Sequence, residues 1–161
     1  MKQLPLLVRS TLAVALLVSA FGVSAMAQSN SSVGTWKLDL AKSTYSPGPA
    51  PKSSTLKIEA TGMGVTSTID TVQPDGTTQH ITYGGAYDGK PVPVTGSSTY
   101  NMVTRRRISP TTTEAVYLQG TKVVTTNTVV VSADGKTLTA TAKGVTPQGK
   151  PVNNVQVYTK Q

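Results

Sequence analysis

The sequence contains no cysteine, one histidine, one tryptophan and only 7 acidic residues. Without cysteine there is neither a disulfide framework nor a thiolate metal site, so stability must come from burial and strand pairing. The lone His80 excludes a histidine-rich metal centre. Any Ser-His-acid triad would have to pass through it, and no nucleophile-elbow pattern is present. Residue count leaves room for a haem with a single axial imidazole, but alternation places His80 on the exposed face of its strand. No metal and no other cofactor is therefore expected. The strand acids Asp70 and Glu114 are the candidates for an interior acid-base pair, and each alternates with apolar neighbours that turn it outward. Gly62-Met63-Gly64 lacks the third glycine of a phosphate-binding turn and reads as a reversal.

Long apolar runs are also scarce. The one that stands out covers 12–23, behind Lys2 and Arg9, and Ala25-Met26-Ala27 follows with small residues before a cleavage point. It is shorter than the ~20 residues a spanning helix needs. Residues 1–27 therefore read as a signal peptide cut after Ala27, and the remainder as a periplasmic or secreted protein with no transmembrane segment. Loss of Lys2 and Arg9 lowers the 15 basic residues to 13 against 7 acidic ones, a formal charge of +6. That balance suits contact with an anionic envelope surface. Nucleic acid is not an expected partner outside the cell. The only phenylalanine, Phe21, departs with the leader.

What is present is β-strand and turn. Residues 28–33 form a polar Ser/Asn tail, expected to be flexible, and 34–161 one domain. Trp36, Leu38 and Leu40 alternate with Lys37 and Asp39, the period-two mark of a half-buried strand. The proline-rich stretch 41–51 cannot extend a ladder and reads as a crossing loop. Alternation resumes at Leu56, Ile58 and Ala60, and again over 65–72 and 77–83, which Gln73-Pro74-Asp75-Gly76 joins as a hairpin. The segment 84–96 is rich in glycine and proline. Strands are predicted over 98–107, 114–119, 121–131, 136–143 and 152–160, with Ser132-Ala133-Asp134-Gly135 as a second strong hairpin turn. No segment carries apolar residues at helical spacing, and threonine and valine favour the extended backbone. The fold class is all-β, an antiparallel up-and-down barrel of about 8–10 strands, since a long meander removes its exposed edges by closing on itself.

Gly34-x-Trp36 at the first strand and Val157-Tyr158-Thr159-Lys160 on the last bracket the domain. The combination resembles the calycin group, meaning lipocalins and especially the fatty-acid-binding-protein type, in which a Gly-x-Trp strand opens the barrel and an Arg-x-Tyr pair lies on its final strand. The stretches 34–43 and 46–53 are similar to those of exported bacterial proteins of lipocalin-like type. The resemblance implies that Trp36 packs across the closed end of the barrel. It also places Gln156 where the family carries a carboxylate-gripping arginine, with Tyr158 retained, and a neutral amide cannot form that bidentate ion pair.

The expected function is non-enzymatic: an exported barrel holding a small apolar or amphipathic molecule. Alternation puts Ile58, Ile69, Ile81, Val129 and Leu138 inside, together with Tyr100, Met102, Val116 and Leu118. The candidate ligand-binding residues are Tyr100, Met102, Arg105, Arg107, Gln156 and Tyr158. In the run Arg105-Arg106-Arg107 the outer two share a face, so one face of that strand directs positive charge toward the cavity or its rim. The alternative is an interaction module that binds a protein or polyanion through this run and the 84–96 loop. An isomerase or cyclase on the same barrel is a third reading, carried by fold analogy alone.

Overall fold

The computed structural model describes residues 30–146 and 148–161. The predicted signal peptide lies outside them. Ten antiparallel strands follow the chain as β1 Gly34–Leu38, β2 Ser53–Thr61, β3 Gly64–Val72, β4 Thr78–Gly85, β5 Val92–Pro93, β6 Met102–Arg107, β7 Thr112–Gln119, β8 Lys122–Val131, β9 Thr137–Val145 and β10 Pro151–Lys160. Their order in the sheet is β4-β3-β2-β1-β10-β9-β8-β7-β6-β5. First and last strands are thus neighbours, with Trp36 opposite Lys160 and Leu38 opposite Tyr158.

The predicted hairpins form by one device. In the 73–77 turn Gly76 adopts φ +93°, and the Asp75 carboxylate accepts from both the Thr77 amide (2.9 Å) and its hydroxyl (2.7 Å). In the 132–136 turn Gly135 adopts φ +69°, and Asp134 accepts from the Ser132 hydroxyl and the Lys136 amide. Positive φ costs glycine nothing, and the Asp side chain replaces a missing ladder partner.

β1 is shorter than alternation suggests. It ends at Leu38, because Asp39 caps a single 3-10 turn, Leu40–Lys42, through its own side chain. Leu40 is consequently 41% exposed rather than inside. The stretch 84–96 supplies the very short β5. The barrel is nearly closed there by one bridge, in which the Thr82 amide donates to Thr95 (3.1 Å) and the Thr95 amide to Thr82 (3.0 Å). A side chain at Gly96, φ +81°, would collide with the His80 carbonyl oxygen, so only glycine lets this segment lie so close to β4.

The core forms two clusters, one on β1–β3 and β8–β10 and the other on β4, β6 and β7 with Val94. The first holds Trp36, Leu38, Ile58, Val65, Val131 and Leu138, and the second is built around Ile81, Tyr83, Val94, Val103 and Tyr117. Trp36 is fully buried, and its indole N–H donates to the Ser32 carbonyl at 2.8 Å. Of the polar N-terminal tail, Ser32 is buried and Asn30 donates to the Tyr87 hydroxyl, so residues 30–33 fold across the base of the barrel.

Trp36→Ala should destabilise the protein by ~3–5 kcal/mol, the usual cost of emptying a large aromatic site. A denaturation midpoint followed by circular dichroism reads this directly. An unchanged midpoint would remove the tryptophan from its structural role.

Candidate ligand-binding chambers

The interior is hollow in two places. The larger space, about 310 Å³, opens at the end of the barrel where the proline loop meets the starts of β2, β4 and β10. Five amide side chains line it: Gln73, Gln79, Asn127, Asn154 and Gln156. Tyr45, Tyr100, Tyr117 and Tyr158 supply aromatic surface, and Ser54 and Thr71 add hydroxyls. Among the described residues, no carboxylate, amine, guanidinium or imidazole lies on its wall.

The register explains why there is room. One rung of paired residues runs Arg105, Ala115, Asn127, Ala142, Asn154 across β6 to β10. Ala115 and Ala142 are buried and small, so only methyls separate the polar side chains of this rung, whereas Val131 and Leu138 pack solidly on the rung they share with Tyr158 and Leu38. Much of the wall is paired with itself. Gln73 Nε2 donates to Gln79 (3.0 Å), the Ser54 and Thr71 hydroxyls share a hydrogen bond (3.0 Å), and Gln156 Nε2 donates to the Tyr45 hydroxyl (3.4 Å). Asn127 differs, since its Oδ1 is buried without a partner.

Tyr117 is shared between this chamber and a second, smaller one of about 50 Å³ nearer the closed end. Its hydroxyl lies 2.8 Å from that of Tyr83, and its ring packs against Tyr100 with centroids 4.6 Å apart. Below this pair sits Arg105, only 5% exposed. Its Nη2 donates to the Val65 (3.0 Å) and Gly85 (2.6 Å) carbonyls, its guanidinium lies over the faces of Tyr83 and Tyr87, and its Nε has no partner. No ion pair among the described residues includes it. Burying an unpaired cation is costly; two carbonyls and two ring faces offset part of that cost and tie β6 to β3 and β4. The lower space, about 50 Å³, is large enough to admit water.

The sequence-derived candidates separate accordingly. Tyr100, Gln156 and Tyr158 converge on the open chamber, and Arg105 lines the closed one. Arg107 stands at the base, 4.5 Å from the Tyr87 ring. Met102 is a correction. The inner face of β6 belongs to Val103 and Arg105, so Met102 points outward with Thr104 and Arg106. The same parity reverses β7, where Ala115 and Tyr117 are inside and Val116 and Leu118 outside. Nor is the arginine run one surface patch, since strand alternation buries Arg105 and exposes Arg106.

Asn127 was not among the candidates, although it shares the parity of Val129 and Val131. His80 lies on the outer face as alternation predicts, its Nδ1 2.6 Å from Asp70 Oδ1 and its Nε2 3.2 Å from the Thr82 hydroxyl, with the His and Asp side chains 66% and 61% exposed. This row stands in solvent, away from both chambers.

No family profile matches the chain, and no curated protein matches its sequence. Among solved structures, the fold is similar to that of zebrafish ileal bile acid-binding protein in complex with cholic acid, with 15% identity, a TM-score of 0.53, and 81% of this chain and 99% of that chain covered. At that identity the likeness establishes the fold alone, a nearly closed antiparallel barrel of the kind expected from the sequence.

Burial pushes the phenols of Tyr45, Tyr83, Tyr100 and Tyr117 above their ordinary value of 10.0, and that of Tyr158 up to about 12. The chamber wall is therefore neutral through the physiological range. Native phenols keep their protons after unfolded ones have lost them, so this contribution to stability is complete below about pH 10 and is lost as pH rises through about 12. An alkaline titration followed by phenolate absorbance and circular dichroism should show ionisation and unfolding together. Phenols that ionise near pH 10 in a chain that stays folded would show the wall to be wet.

Proposed function

We propose that the protein is an exported, non-enzymatic carrier that holds one small amphipathic molecule in the open chamber of its barrel. The observation that carries this reading is the asymmetry of the interior. One end is sealed by Trp36, Leu38 and the returning residues 30–33, while the other opens into a hollow of about 310 Å³ lined by neutral hydrogen-bonding groups and aromatic faces. That volume is at the lower end of the ~300–1,000 Å³ typical of small-molecule sites. Tyrosine suits such a ligand, since its ring meets apolar surface and its hydroxyl meets a polar group. Tyr100, Gln156 and Tyr158 are the contacts assigned to it, with Tyr117 and Asn127 added by the geometry. Arg105 acts from beneath, as part of the floor. The relation to a bile-acid-binding barrel supports a binding role on the level of fold. Export rests on the leader-like residues 1–27.

Native mass spectrometry of protein purified from its own host should reveal one co-purifying small molecule per chain, on a polypeptide that begins at Gln28. Tyr100→Ala combined with Tyr158→Ala should weaken retention of that molecule about tenfold or more. A barrel that is empty as isolated and takes up no amphipathic probe would end the carrier reading, and a mature chain retaining residues 1–27 would end the export reading.

A further inference from the structure

We propose that the open chamber selects a neutral, polyhydroxylated headgroup of the glycoside type, in preference to a carboxylate or a cation; this rests on the carrier reading of the same chamber. Three observations converge on it. The first is charge. The wall holds no ionic side chain, and burial keeps its phenols protonated, so a charged head entering it would lose water without gaining a counter-charge. The nearest buried cation, Arg105, lies in the separate lower space, with Nη2 already engaged by two backbone carbonyls.

The second is hydrogen-bond polarity. Asn127 Oδ1 is a buried acceptor with no donor. A carboxylate accepts only, and a quaternary ammonium offers no N–H, so neither can satisfy it. A hydroxyl donates and accepts. Asn127 and Asn154 share a rung with only the Ala142 methyl between them, so two planar amides border the same recess. Three further pairs on the wall, Gln73 with Gln79, Ser54 with Thr71 and Gln156 with Tyr45, join neutral group to neutral group, and such pairs exchange readily for ligand hydroxyls.

The third is shape and surface. The rings of Tyr45, Tyr100 and Tyr158 stand among these amides, with Ile69 and Ile81 beside them. Alternating aromatic faces and amide groups match a saturated ring whose C–H faces are apolar and whose rim bears hydroxyls. A wall built for an alkyl chain would be aliphatic instead of carrying five amides.

The experiment is a calorimetric titration of the delipidated mature protein with four decyl amphiphiles below micelle formation: decyl β-glucoside, decanol, decanoate and decyltrimethylammonium. The glucoside should bind most tightly, roughly tenfold or more above the two charged heads, because a site built to hydrogen-bond a hydroxyl rejects partners that leave its polar groups unpaired. Asn127→Leu should erase most of that preference, with the fold verified by the buried Trp36 fluorescence. Equal affinity for all four heads, or a preference that survives Asn127→Leu, overturns the headgroup proposal and leaves the carrier reading standing. Tightest binding of decanoate overturns it in favour of an anchor at Arg105. Failure of all four to bind to folded protein overturns the carrier reading, and this one with it.

Discussion

The pairing of β1 with β10 is the constraint from which the rest of the molecule follows. Trp36, Lys37 and Leu38 lie opposite Lys160, Thr159 and Tyr158, and Thr35 accepts from the Gln161 amide, so the two ends of the domain become neighbours in one sheet. This contact converts a meander into a barrel and gives it an inside. It also fixes which side chains occupy the inside, because a slip of β1 by one residue would send Trp36 and Leu38 to solvent, and a slip of β10 would do the same to Tyr158. The seam on the opposite side of the ring has one backbone bridge, Thr82 with Thr95, and is otherwise spanned by side chains, chiefly Arg105. The barrel is thus firm where its ends meet and slight where its middle meets.

Within that ring, side-chain size decides where matter stops and space begins. Rungs that carry Leu138, Val131 and Ile58 fill the cross-section, as interior packing demands. The rung that carries Ala115 and Ala142 cannot, and the polar residues Asn127, Asn154 and Arg105 stand in the gap it leaves. Two buried polar atoms without partners, Arg105 Nε and Asn127 Oδ1, flank Ala115 on the adjacent strands. Interiors seldom tolerate such groups, and those that persist mark places where something other than the protein is accommodated.

Much of this was legible in the residues and some was not, for identifiable reasons. The two Asp-Gly turns, the alternation from Leu56 onward and the Gly-x-Trp opening lead to a barrel whose ends meet, and Tyr100, Gln156 and Tyr158 do gather at one chamber. The parity of β6 and β7 was ambiguous because apolar residues occupy both faces. Met102 competes with Val103, and Val116 and Leu118 with Tyr117. Only the pairing of Arg105 with Ala115 settles which set is buried, and a register shift between Tyr117 and Leu118 disturbs the count further. Leu40 followed the alternation of β1, but the Asp39 cap turned the chain first. The two-residue β5 is too short to leave a periodic signature. Asn127 was within reach, since it precedes the inward Val129 and Val131 by even steps, yet a polar residue in such a series reads as surface until its burial is seen.

The junction of first and last strands has a temporal side. Hydrogen-bonded neighbours such as Lys37 and Thr159 are 122 residues apart in the chain, so the ring cannot be finished while the C-terminal segment is still inside the ribosome. Until those two strands meet, the sheet is a ribbon with two unpaired margins. Closure therefore rests on a contact of very long sequence separation, between β1 and β10, and with no cysteine in the chain it needs no oxidant.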